Sequence, residues 1–446
     1  MSTLKSNIYL TLLNQIPTQL FGIISGIFIT RILGAQGKGI YAIFYADVSL
    51  FNTFFGFSII TAIIYFLSAK KITHEKILGV SITFTLITIV LSVSFLCIWL
   101  LSPISDLLFP VSYQSYPYII WFISILLLTQ INSVYSGFFQ GSKNFKVVNS
   151  ILFFNSIFNV TIFGCAYLLH YFNIFEIKLY IIFILSLVVL LINTLCWHLK
   201  YIKLFSYKID IKINLKKEIY PFFKYMGLGH LSIIINFFNY RLALWVLAYY
   251  LDEKNVGFYS LAVGLAQILT FLTNPLSQVI FPYLTSEFEE QRKLIFTKFA
   301  RMHFSMLIII AFFAMFLAPL LIPLMYGNDF YPSVLLFKIM IFAVVLSCQT
   351  TIFGGFLLAS NRVIINLLAT SFGFLLTLFF NYFLIKSFGL IGAAYSTSIT
   401  YLGIFLFVYF AIIIFMKLPS WNLFFLTRED ILFVSKKIIF FKNGNN

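Results

Sequence analysis

The chain has 446 residues, 61% of them hydrophobic and only 10% charged, with 57 Phe, 26 Tyr and a formal net charge of +16. So little charge cannot cover the surface of a water-soluble protein of this size, which excludes two or three soluble domains. The solvent for most of the chain is lipid, where backbone polar groups must be satisfied within their own segment and long apolar runs become helices.

The runs lack the alternation of barrel strands, so the expected fold class is an all-α polytopic membrane protein. A spanning helix needs about 20 mostly apolar residues. That rule predicts twelve spans, at 8–33, 40–67, 77–101, 118–141, 147–169, 178–199, 222–250, 257–285, 302–325, 333–359, 363–385 and 390–416. A single Lys before the first apolar run, with no small-residue cleavage site, reads as an uncleaved span and not a signal peptide.

Span one carries Asn14, Gln15 and Gln19 around Pro17, and a polar, glycine-rich hinge, TRILGAQGKGIYA (Thr30 to Ala42), leads into span two with Asp47 and Asn52. Pro103, Pro110 and Pro117 end and restart helices in the loop after span three. The basic stretch Lys200–Pro221 joins two halves, 1–199 and 222–416. Span seven holds His230, Asn236, Asn239 and Arg241; span eight holds Gln267, Asn274 and Gln278 together with Pro275 and Pro282. Lys338 lies near the start of span ten, where a lysine can snorkel. The tail 417–446, with Trp421, Phe424 and Phe425 among charges, is too interrupted to span and is expected along the inner interface.

The halves echo each other. Leu33, Gly39 and Tyr41 align without a gap on Leu251, Gly257 and Tyr259, a shift of 218, and the same shift maps Tyr65 onto Tyr283, Gly137 onto Gly355 and Phe138 onto Phe356. One constant offset that also superimposes apolar runs and polar turns implies two homologous six-helix lobes. The predicted spans send alternate loops to opposite sides, with 23 basic residues on one side and five on the other. That is the positive-inside bias, and it puts both termini in the cytoplasm and accounts for the net charge without nucleic acid.

Helix breakers within spans free backbone groups that need shelter, so Pro17 in span one and Pro275 and Pro282 in span eight mark either cavity-lining helices or buried kinks. Ionisable groups within the hydrocarbon are costly, about 2.5–3.5 kcal/mol on insertion scales, and each needs a reason. Arg241 sits deep in span seven beside Asn236 and Asn239. In a wet cavity it would attract an anionic passenger; the alternative is a neutralising pair with Asp47. Asp47 and His230 are candidate ion-coupling groups, His230 being also readable as a packing histidine. Arg31, near an outer helix end, reaches headgroups readily. The four cysteines, Cys97, Cys165, Cys196 and Cys348, fall singly in apolar runs and read as packing residues. Glu287, Glu289 and Glu290 beside Arg292 and Lys293 read as a solvated connection. Metal-ligand, nucleotide-binding and nucleophile motifs are absent, so neither enzyme chemistry nor a cofactor is expected.

RILGAQGKGIYA after the first span, VIFPYLTSEFEE (279–290) and LMYGNDFYPSVL (324–335) resemble bacterial polysaccharide-export flippases of the multidrug/oligosaccharidyl-lipid/polysaccharide exporter superfamily. The resemblance implies twelve spans in two lobes and alternating access. It implies flipping of an undecaprenyl-diphosphate-linked oligosaccharide, an O-antigen or capsule repeat unit in lipopolysaccharide or polysaccharide biosynthesis, across the bacterial inner membrane. Membrane lipids, a polysaccharide polymerase and a chain-length regulator are the implied partners, and Arg241 is the implied cavity cation. Three rivals stand beside it: a drug/cation exporter of the same superfamily, which would favour buried carboxylates; a membrane polymerase or ligase; and a non-transporting lipid scaffold, which would not require paired halves or polar interior faces. Enzymes of the second kind need a large basic outer loop, and Ser102–Pro117 contains no Lys or Arg.

Overall fold

Among the described residues every regular element is a helix. The computed structural model of the protein describes residues 2–56, 59–68, 73–102, 116–205, 220–286, 288–417, 423–427 and 430; the side chains of 2–15, 220–229 and a few others within these helices lie outside the description. The helices are α1 Ser2–Phe55, α2 Ile59–Ser68, α3 His74–Leu100, α4 Tyr116–Gly141, α5 Phe145–Tyr171, α6 Leu179–Leu204, α7 Tyr220–Tyr250, α8 Glu253–Ala266, α9 Ile268–Ser286, α10 Glu289–Tyr326, α11 Pro332–Ala359, α12 Val363–Phe380 and α13 Lys386–Met416. Ten helical stretches among the described residues are long and apolar enough to cross a membrane. Two of them, Ile16–Phe55 and Val363–Phe415, run across the boundary between two predicted spans. They bend at Gly34 (φ 62°, ψ −172°) and Gly389 (φ 57°, ψ −131°), a backbone region that glycine enters without a Cβ penalty. Both bends fall between predicted spans.

The breakers act elsewhere than expected. α1 runs unbroken through Pro17. The eighth apolar run is interrupted at Gln267, not at Pro275, and the Thr270 N–H and hydroxyl both bond the Gln267 carbonyl, at 2.9 and 2.6 Å. A further break, unforeseen in the sequence, separates α1 from α2 beside Gly56. Pro103, Pro110, most of the basic linker, Glu287 and Trp421 lie outside the described residues.

The chain divides into two compact units, Met1–Ser260 and Leu261–Asn446. In the first, α3 shows how a lipid solvent sorts side chains. Its buried face carries Ser81, Phe84, Thr88, Ser92 and Leu96 at helical spacing, while Leu86, Ile87, Val90, Leu91 and Ile98 are exposed. Apolar groups lose nothing by facing lipid, whereas small hydroxyls need protein partners and allow close packing. Two apolar clusters fill this unit. One gathers α2, α3, α4 and α6 around Phe66, Phe84, Phe138, Trp197 and Tyr201; the other joins α1, α5 and α6 through Ile29, Phe163 and Ile182.

At Gly39 and Gly257, α1 and α8 meet backbone to backbone. A Cβ built on Gly39 would overlap the Glu253 carbonyl and lie 2.9 Å from the Gly257 nitrogen, and one built on Gly257 would overlap the Ala35 carbonyl. Backbone packs on backbone, so only glycine fits at either position. These are the two glycines that the 218-residue shift equates.

In the second unit Phe296 stacks on Phe356, 4.0 Å between ring centroids, inside a cluster of α9, α10, α11, α12 and α13 residues. The tail folds onto this bundle. Leu423 is fully buried, and Phe424 packs on Phe304, Phe405 and Tyr409. Arg301 grips Asp430 through Nε to Oδ2 at 2.7 Å and Nη2 to Oδ1 at 3.1 Å, while the Thr427 N–H and hydroxyl donate to Oδ2. These residues of the tail are therefore held against the helices by both packing and an ion pair. Burial alone would raise the Asp430 carboxyl; the Arg301 guanidinium and the two Thr427 donors outweigh it and hold its pKa at about 2.

Two outcomes follow. Gly39→Ala is expected to cost at least about 2 kcal/mol through overpacking, read as thermal stability in detergent. Gly22→Ala and Gly26→Ala, where a Cβ meets nothing within 4 Å, should be neutral. Asp430 has a folded pKa below its unfolded value, so its contribution is complete above about pH 4 and is lost as pH falls through about 2. Asp430→Asn should therefore destabilise at neutral pH, on the order of 2 kcal/mol, and match the intact protein near pH 2.

Candidate functional site

Ionisable and amide groups in the first unit concentrate where α1 meets α7. Asp47, on α1, is 1% exposed, and its Oδ1 accepts a hydrogen bond of 2.7 Å from the Trp245 indole N–H of α7. The indole is itself buried, with Phe237 and Phe238 tilted against it. A carboxyl group taken out of water needs a donor, and an N–H to a carboxylate makes a charge-assisted bond. Trp245, not Arg241, is thus the partner of Asp47, and the pairing alternative is not the geometry found.

Farther along the same contact, His230 Nε2 lies 3.0 Å from the Phe54 carbonyl. A carbonyl can only accept, so Nε2 carries the proton. Phe54 belongs to the last turn of α1, whose carbonyls lose their intrahelical partners where the helix breaks at Gly56. His230 supplies one substitute and packs almost wholly buried.

Arg241 is exposed on α7, Asn239 is buried beside it and Asn236 is half-buried. The Lys38 ammonium of α1 lies within electrostatic reach of the Arg241 guanidinium and sits over the Tyr41 ring, 5.5 Å from its centroid. The Tyr41 and Tyr45 hydroxyls hydrogen-bond each other and Ser186 of α6, continuing the polar face. The side chains of Asn14 and Gln15 lie outside the described residues. Arg31 donates to the Tyr167 hydroxyl at 2.9 Å and covers that ring while remaining exposed.

Beside the α1–α2 break lies a cavity of about 380 Å³, lined by Asn52, Thr53, Gly56, Ile59, Ile60, Thr61, Phe84, Thr85, Thr88, Thr129, Gln130, Ser133 and Ile233. The second unit contains a polar network of its own. His303 Nδ1 is 2.8 Å from Gln349 Oε1, its Nε2 is 3.1 Å from Thr273 Oγ1, and Gln349 Nε2 donates to the Ala300 carbonyl. Each buried group there has a partner, and the network pins α9, α10 and α11 together.

Sequence reasoning singled out Asp47, His230 and Arg241 but missed Trp245, Lys38 and Gln130. Trp245 stands one helical turn beyond Arg241 on α7, and the need of Asp47 for a donor is the signal that leads to it. Lys38 stands in the polar hinge between the first two spans, where a lysine is unremarkable. Gln130 stands with Thr129, Asn132 and Ser133 in a polar cluster within the fourth apolar run, which is the signal that marks it.

A family model described as polysaccharide biosynthesis protein matches residues 4–288. No curated protein matches. Among solved structures, a lipid II flippase, MurJ, in an inward closed conformation superposes with a TM-score of 0.68 at 17% identity, over 92% of this chain and 89% of that one. An inward-facing multidrug resistance MATE family transporter of the MOP superfamily gives 0.65 at 15% identity, over 90% and 95%. A MOP superfamily transporter from Pyrococcus furiosus gives 0.61 at 14%, over 93% and 96%. At these identities the likeness establishes a shared fold.

Replacing Trp245 by Phe removes the Asp47 donor while keeping an aromatic ring. It should cost about 1–3 kcal/mol, the penalty for an orphaned buried acceptor. In a double-mutant cycle in detergent, Asp47→Leu should cost much less on the Trp245→Phe background than alone; additive costs would show that the bond does not hold α1 to α7.

Proposed function

We propose, on the premise that the chain belongs to the polysaccharide biosynthesis protein family, that it is a flippase for an undecaprenyl-diphosphate-linked oligosaccharide. The passenger is an O-antigen or capsule repeat unit, moved by alternating access from the cytoplasmic to the periplasmic leaflet of a bacterial inner membrane. The charge bias of the loops supports cytoplasmic termini, and the 218-residue repeat supports two six-helix lobes, residues 1–199 and 222–416, joined by the basic linker.

The juxtaposition of Lys38 and Arg241 carries the reading. Two like charges held within reach of each other on membrane-spanning helices raise the electrostatic energy, more so at low dielectric. A visiting diphosphate offsets both at once, and neighbouring Asn236, Asn239 and Tyr41 offer hydrogen bonds to phosphate oxygens or sugar hydroxyls. The lipid tail remains in the bilayer, so only the headgroup requires a polar route. Asn14 and Gln15 are proposed to extend that route along α1.

The drug/cation exporter reading is less well supported. It requires a carboxylate presented to the passenger, and Asp47 is enclosed and held by Trp245. Asp47 is better assigned to ion coupling, with His230 in a subordinate role because its Nε2 proton is committed to Phe54. A polysaccharide polymerase and a chain-length regulator are the proposed protein partners, consuming the flipped unit.

Reconstituted into vesicles with a fluorescent lipid-linked oligosaccharide, the intact protein is expected to flip the donor. Arg241→Ala and Lys38→Ala should each slow flipping at least about tenfold, the loss of one charge-assisted bond, with Arg241→Lys intermediate. Flipping by Arg241→Ala at the intact rate would remove the cation pair from the mechanism.

A further inference from the structure

His303 is a titratable group buried in the second unit that the flippase reading leaves unused. We propose that it is a proton-binding site, with Gln349, Thr273 and Cys348 arranged to hold the ring both neutral and as the imidazolium. The site itself stands apart from the flippase reading; its use in coupling proton movement to transport rests on that reading.

Gln349 fixes the state of one ring nitrogen. All four side chains are buried. Gln349 Nε2 donates to the Ala300 carbonyl at 3.0 Å, so its Oε1 is the atom that faces His303 Nδ1 at 2.8 Å. Turning the amide over would set oxygen against oxygen at Ala300. An amide oxygen accepts and never donates, so Nδ1 carries a proton in either charge state.

The two states differ at Nε2. It lies 3.1 Å from Thr273 Oγ1, and that hydroxyl has a second acceptor at the same distance, the Leu269 carbonyl one turn earlier on α9. The Cys348 thiol also hydrogen-bonds Thr273. With a neutral ring, the hydroxyl proton points at Nε2 and the thiol donates to Oγ1. When a proton arrives, one N–H bond forms at Nε2, the hydroxyl proton rotates onto the Leu269 carbonyl, and Oγ1 accepts from the new N–H. No heavy atom moves, and each buried donor of this set keeps an acceptor in both states. A histidine kept for packing requires partners for one tautomer; here each nitrogen faces an oxygen that also serves the charged ring.

The surroundings suit a proton that is taken up and given back. α9 presents Thr273, which is uncharged, and α11 presents Gln349 and the Cys348 thiol. On α10 itself, Phe299 stacks on the ring with 6.2 Å between centroids, and Arg301, two residues away, is matched by Asp430 of the tail. The hydrogen-bond partners of His303 are therefore neutral oxygens, not carboxylates. A buried cation held that way is costly to keep. The position also gives the proton leverage, because Leu269 stands two residues after Gln267, where the helix breaks between α8 and α9.

The test labels the ring nitrogens of the five histidines with ¹⁵N in the full chain in detergent. The His303 signals are identified by their loss in His303→Gln. Between about pH 8 and about pH 5, Nε2 of the intact protein should pass from unprotonated to protonated while Nδ1 stays protonated. Thr273→Val keeps the shape and removes the receiving oxygen, so Nε2 should stay unprotonated over that range; Thr273→Ser should titrate as the intact protein does. If Thr273→Val lacks thermal stability, Gln349→Glu takes its place, and its new carboxylate should keep the ring protonated throughout. A ring that stays neutral in the intact protein, or a titration that neither variant changes, would overturn the proton site. In vesicles with the fluorescent lipid-linked oligosaccharide, a gradient of one pH unit should change the flipping rate of the intact protein severalfold, with about tenfold as the ceiling for one proton. His303→Gln should flip at the same rate with and without the gradient. A full gradient response in His303→Gln would overturn the coupling role, whereas failure of the intact protein to flip any donor would overturn the flippase reading and leave the ring titration to decide the proton site.

Discussion

Backbone contact at Gly39 and Gly257 is the constraint on which the first unit is built. Helices normally meet through side chains, at interaxial distances of about 8–10 Å. Here a carbonyl of each helix occupies the space a Cβ would need on the other, so α1 and α8 approach as closely as helices can. Bilayer-embedded helices gain little from hiding apolar side chains, because lipid tails are equally apolar, and close packing of small residues is the main source of their association. Lys38 is the residue next to this contact, and Asp47 lies about two turns farther along α1. That the two glycines are equivalent under the internal repeat gives the duplication a structural meaning: the same small-residue position, inherited twice, meets its own copy.

Around that anchor the polar groups are sorted by what the bilayer penalises. Asp47 and Asp430 are the two buried acids among the described residues, and each has designated donors. Their surroundings differ in kind. Asp430 sits at the end of the chain in a cage of a guanidinium, a hydroxyl and a backbone N–H, which fastens the tail to α10. Asp47 has one indole N–H within the spanning part of α1, a much sparser solvation that leaves the carboxyl dependent on the α1–α7 contact. A structural acid is over-coordinated; an acid that takes part in a cycle must be able to exchange its partner. Asp430 is in this sense architectural, and the sparser solvation of Asp47 supports the coupling role proposed for it.

The family places the chain among polysaccharide biosynthesis proteins, and its fold is shared with the lipid II flippase MurJ and with a MATE transporter. Fold alone does not distinguish a diphosphate-linked sugar from an organic cation. The distinction lies in which charges are presented and which are enclosed. In this chain Lys38 lies within electrostatic reach of Arg241, and the buried Asp47 is held by Trp245.

The amino-acid sequence by itself determined the solvent, the helical class, the approximate position of the apolar runs and the family. Those follow from composition and from runs of about twenty apolar residues, which lipid forces into helices regardless of their neighbours. It also marked Asp47, His230 and Arg241, because an ionisable residue inside such a run is conspicuous. What it could not determine is which groups meet. Asp47 and Trp245 are 198 residues apart, and His230 and Phe54 are 176 apart. The break at Gly56 carries no proline, while Pro17, which looked like a breaker, sits inside a continuous helix. His303 is ordinary as a residue and becomes a candidate only when packing sets Gln349 and Thr273 against its two ring nitrogens. Pair identities of that kind depend on helix rotation and crossing, which short-range pattern does not encode; the glycines that set the crossing were visible, and the atoms they brought together were not.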